Sequence, residues 1–314
     1  VLSLLSDLPL TQQARTLTFA LVAFNPKMIA TSIQATNDSF VILFGTLALV
    51  GGWRYLRDAA WRHWLATTAG VLLVCVSKAN GIPIALAVAA LWLFALLPAG
   101  APRARIFAGG VVALLAFLAF VPLAGGFYAR YRETGSAVYI PMDPSFPLHF
   151  ADQTLSRRPG IISVLDSYLT FRLGDLLAHP VVSNAADDYA ANRTSLWSFA
   201  YASALTHHYD NFPPSWQADT PTVRTLLRFI YLAGLLPVLV LVRGYLASLR
   251  DALAGVFTWR LQAPWASEAV LAAAGTATLL FLVVYTWQYR DFGCMKPIFC
   301  YPAIAAIAVY FARS

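Results

Sequence analysis

NDSFVILFGTLALVGGWRYLR, residues 37–57, is the stretch whose reading decides the fold. Three short polar residues, Asn37, Asp38 and Ser39, open it. Their side chains are the kind that accept the free N–H groups of a helix's first turn. Phe40 to Trp53 then carries no charge, and Arg54-Tyr55-Leu56-Arg57 closes the run with two arginines. A capped apolar helix that stops at a basic turn is what a membrane crossing looks like in sequence.

The same pattern repeats outward in both directions. Apolar runs over 13–31, 64–76, 82–97, 106–123, 226–242, 266–287 and 298–311 alternate with short polar or basic connections. Together with 40–53 they predict about eight crossings, and lipid requires each to be helical, because it offers no partner to a free backbone amide. Composition agrees. The 314 residues are 59% hydrophobic and 12% charged, about half the charge of a typical soluble domain. The expected fold is an all-α polytopic membrane protein of about eight transmembrane helices. It has an N-terminal block (1–126), a large extracytoplasmic mixed, mainly helical loop domain (127–222) and a C-terminal block (223–314). The net charge of +7 does not argue for nucleic acid, because the cations sit between apolar runs. Cys75, Cys294 and Cys300 form no metal or redox spacing and read as packing residues.

Orientation follows from the basic connections. Strict alternation puts Arg54, Arg57, Arg62 and His63 on the same side as Arg103 and Arg105, as Arg243, Arg250 and Arg260, and as Arg313. The positive-inside rule makes that side cytoplasmic. The expected location is the bacterial inner membrane, with 127–222 in the periplasm or outside the cell. That stretch holds four of the five histidines and nine of the fifteen acids, so chemistry is expected there and in the short loops beside it. Lys27, Lys78, Arg290 and Lys296 fall in short loops of this outer side. Each can be read as a lysine or arginine snorkelling to headgroups. Together they read as donors to a lipid-linked phosphate.

Individual residues carry two readings each. Asp38 is a site carboxylate at the mouth of a helix, able to orient an acceptor or hold a divalent cation, or a plain cap. Lys78 and Asn80 are phosphate and sugar contacts, or a helix end over headgroups. Arg290 and Lys296 clamp a phosphate, or Arg290 pairs with Asp291. His207, His208 and Asp210 are the one dense set of metal-ligand types. Adjacent histidines point apart on a helix or strand and no third ligand has a clear spacing, so they read as acceptor-groove or surface residues and no metal is assigned. Tyr301, Trp287 and Tyr289 suit an aromatic interface belt. P-loop, dinucleotide, nucleophile-elbow and H-E-x-x-H motifs are absent, which leaves nucleotide hydrolysis, Rossmann cofactors and serine hydrolysis without support.

Asn25-Pro26 through Asn37-Asp38-Ser39, running into a helix that ends at Trp53-Arg54-Tyr55-Leu56-Arg57, resembles a recurrent segment of GT-C-type membrane glycosyltransferases. Ser77-Lys78-Ala79-Asn80-Gly81-Ile82-Pro83 looks like the segment that follows it. Arg290-Asp291, Lys296-Pro297 and Tyr301-Pro302 resemble the late outer loop and final helices of bacterial members, and Ser195-Leu196-Trp197 to Asp210 their outer domain. The resemblance covers most of the chain in layout. It implies transfer of a sugar from a polyprenyl-phosphate donor to a glycan or protein acceptor on the extracytoplasmic face, with membrane lipid around the site; no cofactor is assigned beyond the divalent cation that Asp38 could hold. The family's general base usually lies in a first outer loop, which is expected N-terminal to Val1, since the sequence opens inside an apolar run. Two other functions fit the sequence. One is an O-antigen ligase- or polymerase-like transferase using a lipid-diphosphate donor, with Arg157, Arg172, Arg193, His207 and His208 in its outer loop. The other is a non-catalytic subunit that joins partner membrane subunits.

Overall fold

The computed structural model describes residues 1–33, 37–58, 60–95, 103–124, 129, 132–133, 164–181, 195–206, 220–257, 263–289 and 297–314. Every regular element among them is helical. In order they are α1 (Leu2–Ser6), α2 (Gln12–Ala23), α3 (Pro26–Ile33), α4 (Asn37–Asp58), α5 (Trp61–Ser77), α6 (Ile82–Ala95) and α7 (Arg103–Ala124). Then come the short α8 (Val164–Leu169), α9 (Leu173–Ala178) and α10 (Leu196–Leu205), the long α11 (Pro221–Phe257) and α12 (Ala263–Tyr289), and α13 (Ile304–Ala312). A short 3-10 turn, Ala79–Gly81, joins α5 to α6, and a longer 3-10 helix, Pro297–Ala303, leads into α13.

Helices α4 and α5 form the tightest pair. A Cβ on Gly70 would lie 2.5 Å from the Ala48 backbone nitrogen, so the two backbones touch where a larger side chain would hold them apart. Small residues at such crossings are the usual device for packing helices in lipid. Arg54 and Arg57 belong to the end of α4, and Arg62 and His63 to the first turn of α5. The basic loop expected over 54–63 is therefore a sharp corner between two helices. The expected crossing over 13–31 is also different. It breaks after Ala23, because Asn25 Oδ1 accepts from Met28 N (3.1 Å) and caps a new helix that begins at Pro26. Asparagine at the cap and proline at the first helical position are a matched start signal.

Three helices among the described residues are long and apolar enough to cross a membrane: Asn37–Asp58, Pro221–Gly255 and Ala269–Thr286. Phe107–Phe120, Leu196–Leu205 and Pro297–Ala312 are shorter apolar helices. The exposed face of α11 shows what surrounds the molecule. Phe229, Leu232, Leu236, Leu239 and Leu246 form one stripe at helical spacing, and all are exposed. Only 11% of the apolar window of α11 is buried inside the protein. A stripe that long facing water would drive aggregation, whereas facing lipid it costs nothing. The chain is a helical membrane protein.

Arg243 and Arg250, expected in a loop, lie inside α11, which runs 37 residues. At ~1.5 Å per residue that is about 55 Å, well beyond a hydrocarbon core of about 30 Å. The helix therefore leaves the bilayer before it ends. Beyond Arg243, the Asp251 carboxylate takes ion pairs from Arg250 (2.9 Å) and from Arg313.

Polar side chains within the bundle mostly satisfy themselves. Thr67, Ser77, Thr278 and Thr286 each donate to the carbonyl four residues back, at 2.7–2.9 Å. A hydroxyl bonded to its own helix presents no unsatisfied group to lipid. The main core joins α4, α5, α6, α12 and α13 through Val41, Leu49, Val74, Ile84, Leu271 and Val309.

The two ends of the bundle differ in chemistry. One end carries Asp7, Arg54, Arg57, Asp58, Arg62 and His63, together with Arg250, Asp251 and Arg313. The opposite end of α4 and α5 carries Asp38 and Lys78. Helices α8–α10, from the polar stretch, pack onto α11, α12 and the Pro297–Ala303 segment. Tyr168, Leu196 and Phe199 meet Leu282 and Phe299 in one cluster, and Leu176, Tyr201 and Ala202 meet Tyr231 in another.

Candidate functional site

Lys78 is placed by the way α5 stops. Its backbone is extended (φ −169°, ψ 151°), which ends the helix. Gly81 N then returns to Lys78 O at 2.9 Å to close the turn. A Cβ on Gly81 would collide with the Val74 carbonyl, so the turn can fold back on α5 only with glycine there. Asp38 lies in the first turn of α4. The turn carries the Lys78 ammonium to 2.7 Å from the Asp38 carboxylate, across a sequence separation of 40 residues. Lys78 Nζ also lies 6.0 Å from the centre of the Phe299 ring, and that ring packs against Tyr285 with centroids 5.0 Å apart.

Asn37, Asp38 and Ser39, expected as a cap cluster, also reach beyond their own helix. Asn37 Nδ2 donates to Ser77 O (3.5 Å), Ser39 Oγ donates to Thr31 O (3.0 Å), and Asp38 holds Lys78. The three residues tie α4 to α5 and α3. Asp38 still lies at the positive end of its helix dipole, where a carboxylate is favoured.

Asn80 completes the corner. It is 2% exposed, and its Oδ1 has no hydrogen-bond partner among the described residues. Leaving a buried acceptor unmet costs about 1–3 kcal/mol. The neighbouring ion pair offsets little of that, because Lys78 keeps a third of its side-chain exposure and pairs so exposed are worth about 1 kcal/mol or less. Taken as stabilisation alone, this corner loses.

Beside the corner runs an apolar groove of about 750 Å3. Leu17 and Leu21 of α2, Phe24 just beyond it, Trp197 and Tyr201 of α10 and Val238 and Leu241 of α11 are among the residues that line it. The Pro297–Ala303 segment separates groove from corner. Pro297, Cys300 and Tyr301 face the groove, whereas Phe299 faces Lys78. Tyr301 does not sit in an interface belt as the sequence suggests. It is 6% exposed, and its hydroxyl donates to Asn25 Oδ1 at 2.9 Å. That bond fixes the groove wall to the α2–α3 break.

Lys27, expected in an outer loop, is 6% exposed within α3. Arg172 pairs with Asp166 and lies 3.8 Å from Asp175, so it serves the fold of α8 and α9. Arg290, Lys296, His207, His208 and Asp210 lie outside the described residues. Among the described residues no group of three metal-ligating side chains comes together. Sequence reasoning singled out Asp38, Lys78 and Asn80 and missed the groove, the Phe299 contact and the Asn25–Tyr301 bond. Asn25-Pro26 and Tyr301-Pro302 were visible as motifs, but their pairing across 276 residues was not.

Comparison with protein-family models, curated proteins and solved structures finds no match to this chain.

Proposed function

We propose that this chain is a GT-C-type membrane glycosyltransferase that takes a sugar from a polyprenyl-phosphate donor. On this reading it crosses a bacterial inner membrane about eight times and works on the extracytoplasmic face, where 127–222 forms a cap. The observation that carries the reading is the Lys78–Asp38 pair with Asn80, set across the Pro297–Ala303 segment from an apolar groove. A lipid phosphate needs a cation for its headgroup and an apolar channel for its chain, and these two features lie side by side.

The chemistry runs by exchange of partners. The donor phosphate takes Lys78 from Asp38, and Asn80 meets a polar group of the sugar. Arg290 and Lys296 add cations to the phosphate. Asp38, released, accepts a hydrogen bond from the acceptor hydroxyl. The hydroxyl oxygen attacks the anomeric carbon as its proton passes to a carboxylate, the role we assign to Asp38. The bond from carbon to the phosphate oxygen breaks, and the lipid phosphate leaves with the electron pair, its charge held by Lys78. To His207, His208 and Asp210 the reading assigns contacts with the acceptor.

The test is transfer from a labelled polyprenyl-phosphate sugar by full-length protein in native membranes. Lys78→Ala should raise the donor KM by tenfold or more. Asp38→Asn should lower kcat by about 10²-fold or more, the range for loss of a general base. Both proteins should keep their thermal stability within about 1 kcal/mol, because the pair is part-exposed. Normal transfer by both variants would remove this site from the account.

A further inference from the structure

The opposite end of the bundle holds an open polar pocket of about 640 Å3, bounded by Asp7, Arg54, Arg57, Asp58, Arg62 and His63. We propose that it binds a phosphate-class anion presented by the headgroup of an anionic phospholipid. The proposal does not depend on the transferase reading, since the pocket lies at the far ends of α4 and α5 from Asp38 and Lys78.

The charges in the pocket are unevenly used. Arg54 is fully engaged, with Nε 2.7 Å and Nη2 2.6 Å from Asp7 Oδ2 and Nη2 also 2.6 Å from Ser3 Oγ. Asp58 is engaged too, with the His63 ring at 3.0 Å and Ala60 N at 2.9 Å. Both carboxylates are therefore committed. Arg57 and Arg62 are exposed and make no hydrogen bond or ion pair among the described residues. Arg57 is held instead by its guanidinium over the Trp53 ring, 4.6 Å from the centroid. A guanidinium held over a ring keeps its N–H groups available, and a free arginine fork can bind a phosphate with two bonds.

The start of α5 adds a second demand for negative charge. Ala60 is its N-cap and gives no side-chain hydrogen bond, and no acidic residue lies in the first turn. That turn carries Arg62 and His63 instead, so cations sit at the positive end of the helix dipole; Ala60 N donates to Asp58 and His63 N returns to Ala60 O at 3.0 Å. Asp58 answers part of this charge, through Ala60 N, His63 and the nearby Arg62, and the surplus of cations at a helix's positive end favours a further anion beside it. The neighbouring Trp61 is 75% exposed, as an indole lying at the level of lipid headgroups would be. A headgroup phosphate at that level reaches Arg57, Arg62 and the α5 amino end together.

The experiment compares the full chain in nanodiscs of phosphatidylcholine with the full chain in mixed phosphatidylcholine–phosphatidylglycerol nanodiscs, reading the thermal midpoint. A ligand that binds only the folded state raises it. Phosphatidylglycerol should raise the midpoint of the native protein, and Arg57→Gln/Arg62→Gln should lose that rise while matching the native midpoint in phosphatidylcholine. Arg250→Gln, outside the pocket, should keep the rise. If the double variant does not fold, Arg62→Gln alone, at an exposed position, should lose at least half of it. A third arm adds inorganic phosphate to phosphatidylcholine nanodiscs. An equal rise there, lost in the same variants, would keep the phosphate site but overturn the lipid as its source. An unchanged phosphatidylglycerol effect in the variants would overturn the site.

Discussion

At the residue scale, Asn80 is the most informative position in the chain. Its buried, unmet Oδ1 costs stability wherever nothing bonds to it, and fold alone gives no reason to keep it. Asn80→Leu, close in volume and without polar atoms, should leave the thermal midpoint unchanged or raise it, with a gain of up to about 1–3 kcal/mol. The same substitution should reduce sugar transfer. A clear loss of stability on calorimetry, with transfer intact, would make Asn80 a structural residue. Lys78 and Asn80 were legible in sequence as polar residues at a break between apolar runs. Which acid Lys78 meets was not legible, because an ion pair across 40 residues depends on how two helices pack rather than on either segment's pattern.

At the element scale, the close crossings carry the argument. A Cβ on Gly45 would lie 2.5 Å from Pro302 O, so α4 and the Pro297–Ala303 segment touch backbone to backbone. That contact holds Phe299 toward Lys78 on one side and Tyr301 toward the groove on the other. Gly45→Val should destabilise by about 1–3 kcal/mol, the usual cost of overpacking, and should also lower transfer by displacing Phe299. Gly174 is the contrast, since a Cβ there meets nothing within 4 Å. Gly174→Ala should be neutral or stabilise by about 0.4–1 kcal/mol, through the entropy of the unfolded chain. Thermal unfolding in detergent compares the two directly. Helix boundaries tell a related story. The expected loops at 54–63 and 243–260 turned out largely helical, because a basic residue marks where a helix leaves lipid, not where it ends.

At the scale of the whole molecule, α11 locates the bilayer. Arg228 and Arg243 bracket fourteen residues without charge, 229–242, about 21 Å of helix, and Arg228 Nε donates to Leu177 O at 2.7 Å, so its charge is held by the polar stretch. Leu236 lies mid-run and 70% exposed, and Leu253 lies beyond Arg243 and 46% exposed. Leu236→Lys should cost about 2.5–3.5 kcal/mol of insertion free energy and lower the membrane-integrated fraction after alkaline extraction. Leu253→Lys should leave that fraction as it is. Equal effects at both positions would mean that the bilayer does not cross α11 where its charges indicate.

The sequence by itself determined the class of molecule. Apolar runs such as 40–53 and 266–287, separated by charges, can be satisfied only as helices in lipid, because hydropathy and backbone hydrogen bonding are local properties. It also marked Asp38 and Lys78 as polar residues where apolar runs break. The tertiary structure decided which of those residues meet: Asp38 with Lys78, Asn25 with Tyr301, Arg313 with Asp251. It decided too that an apolar groove lies near the first pair and an open arginine-rich pocket at the far end. Those outcomes depend on helix crossings fixed by glycines packed against distant backbone, and no single stretch of chain contains both sides of such a contact.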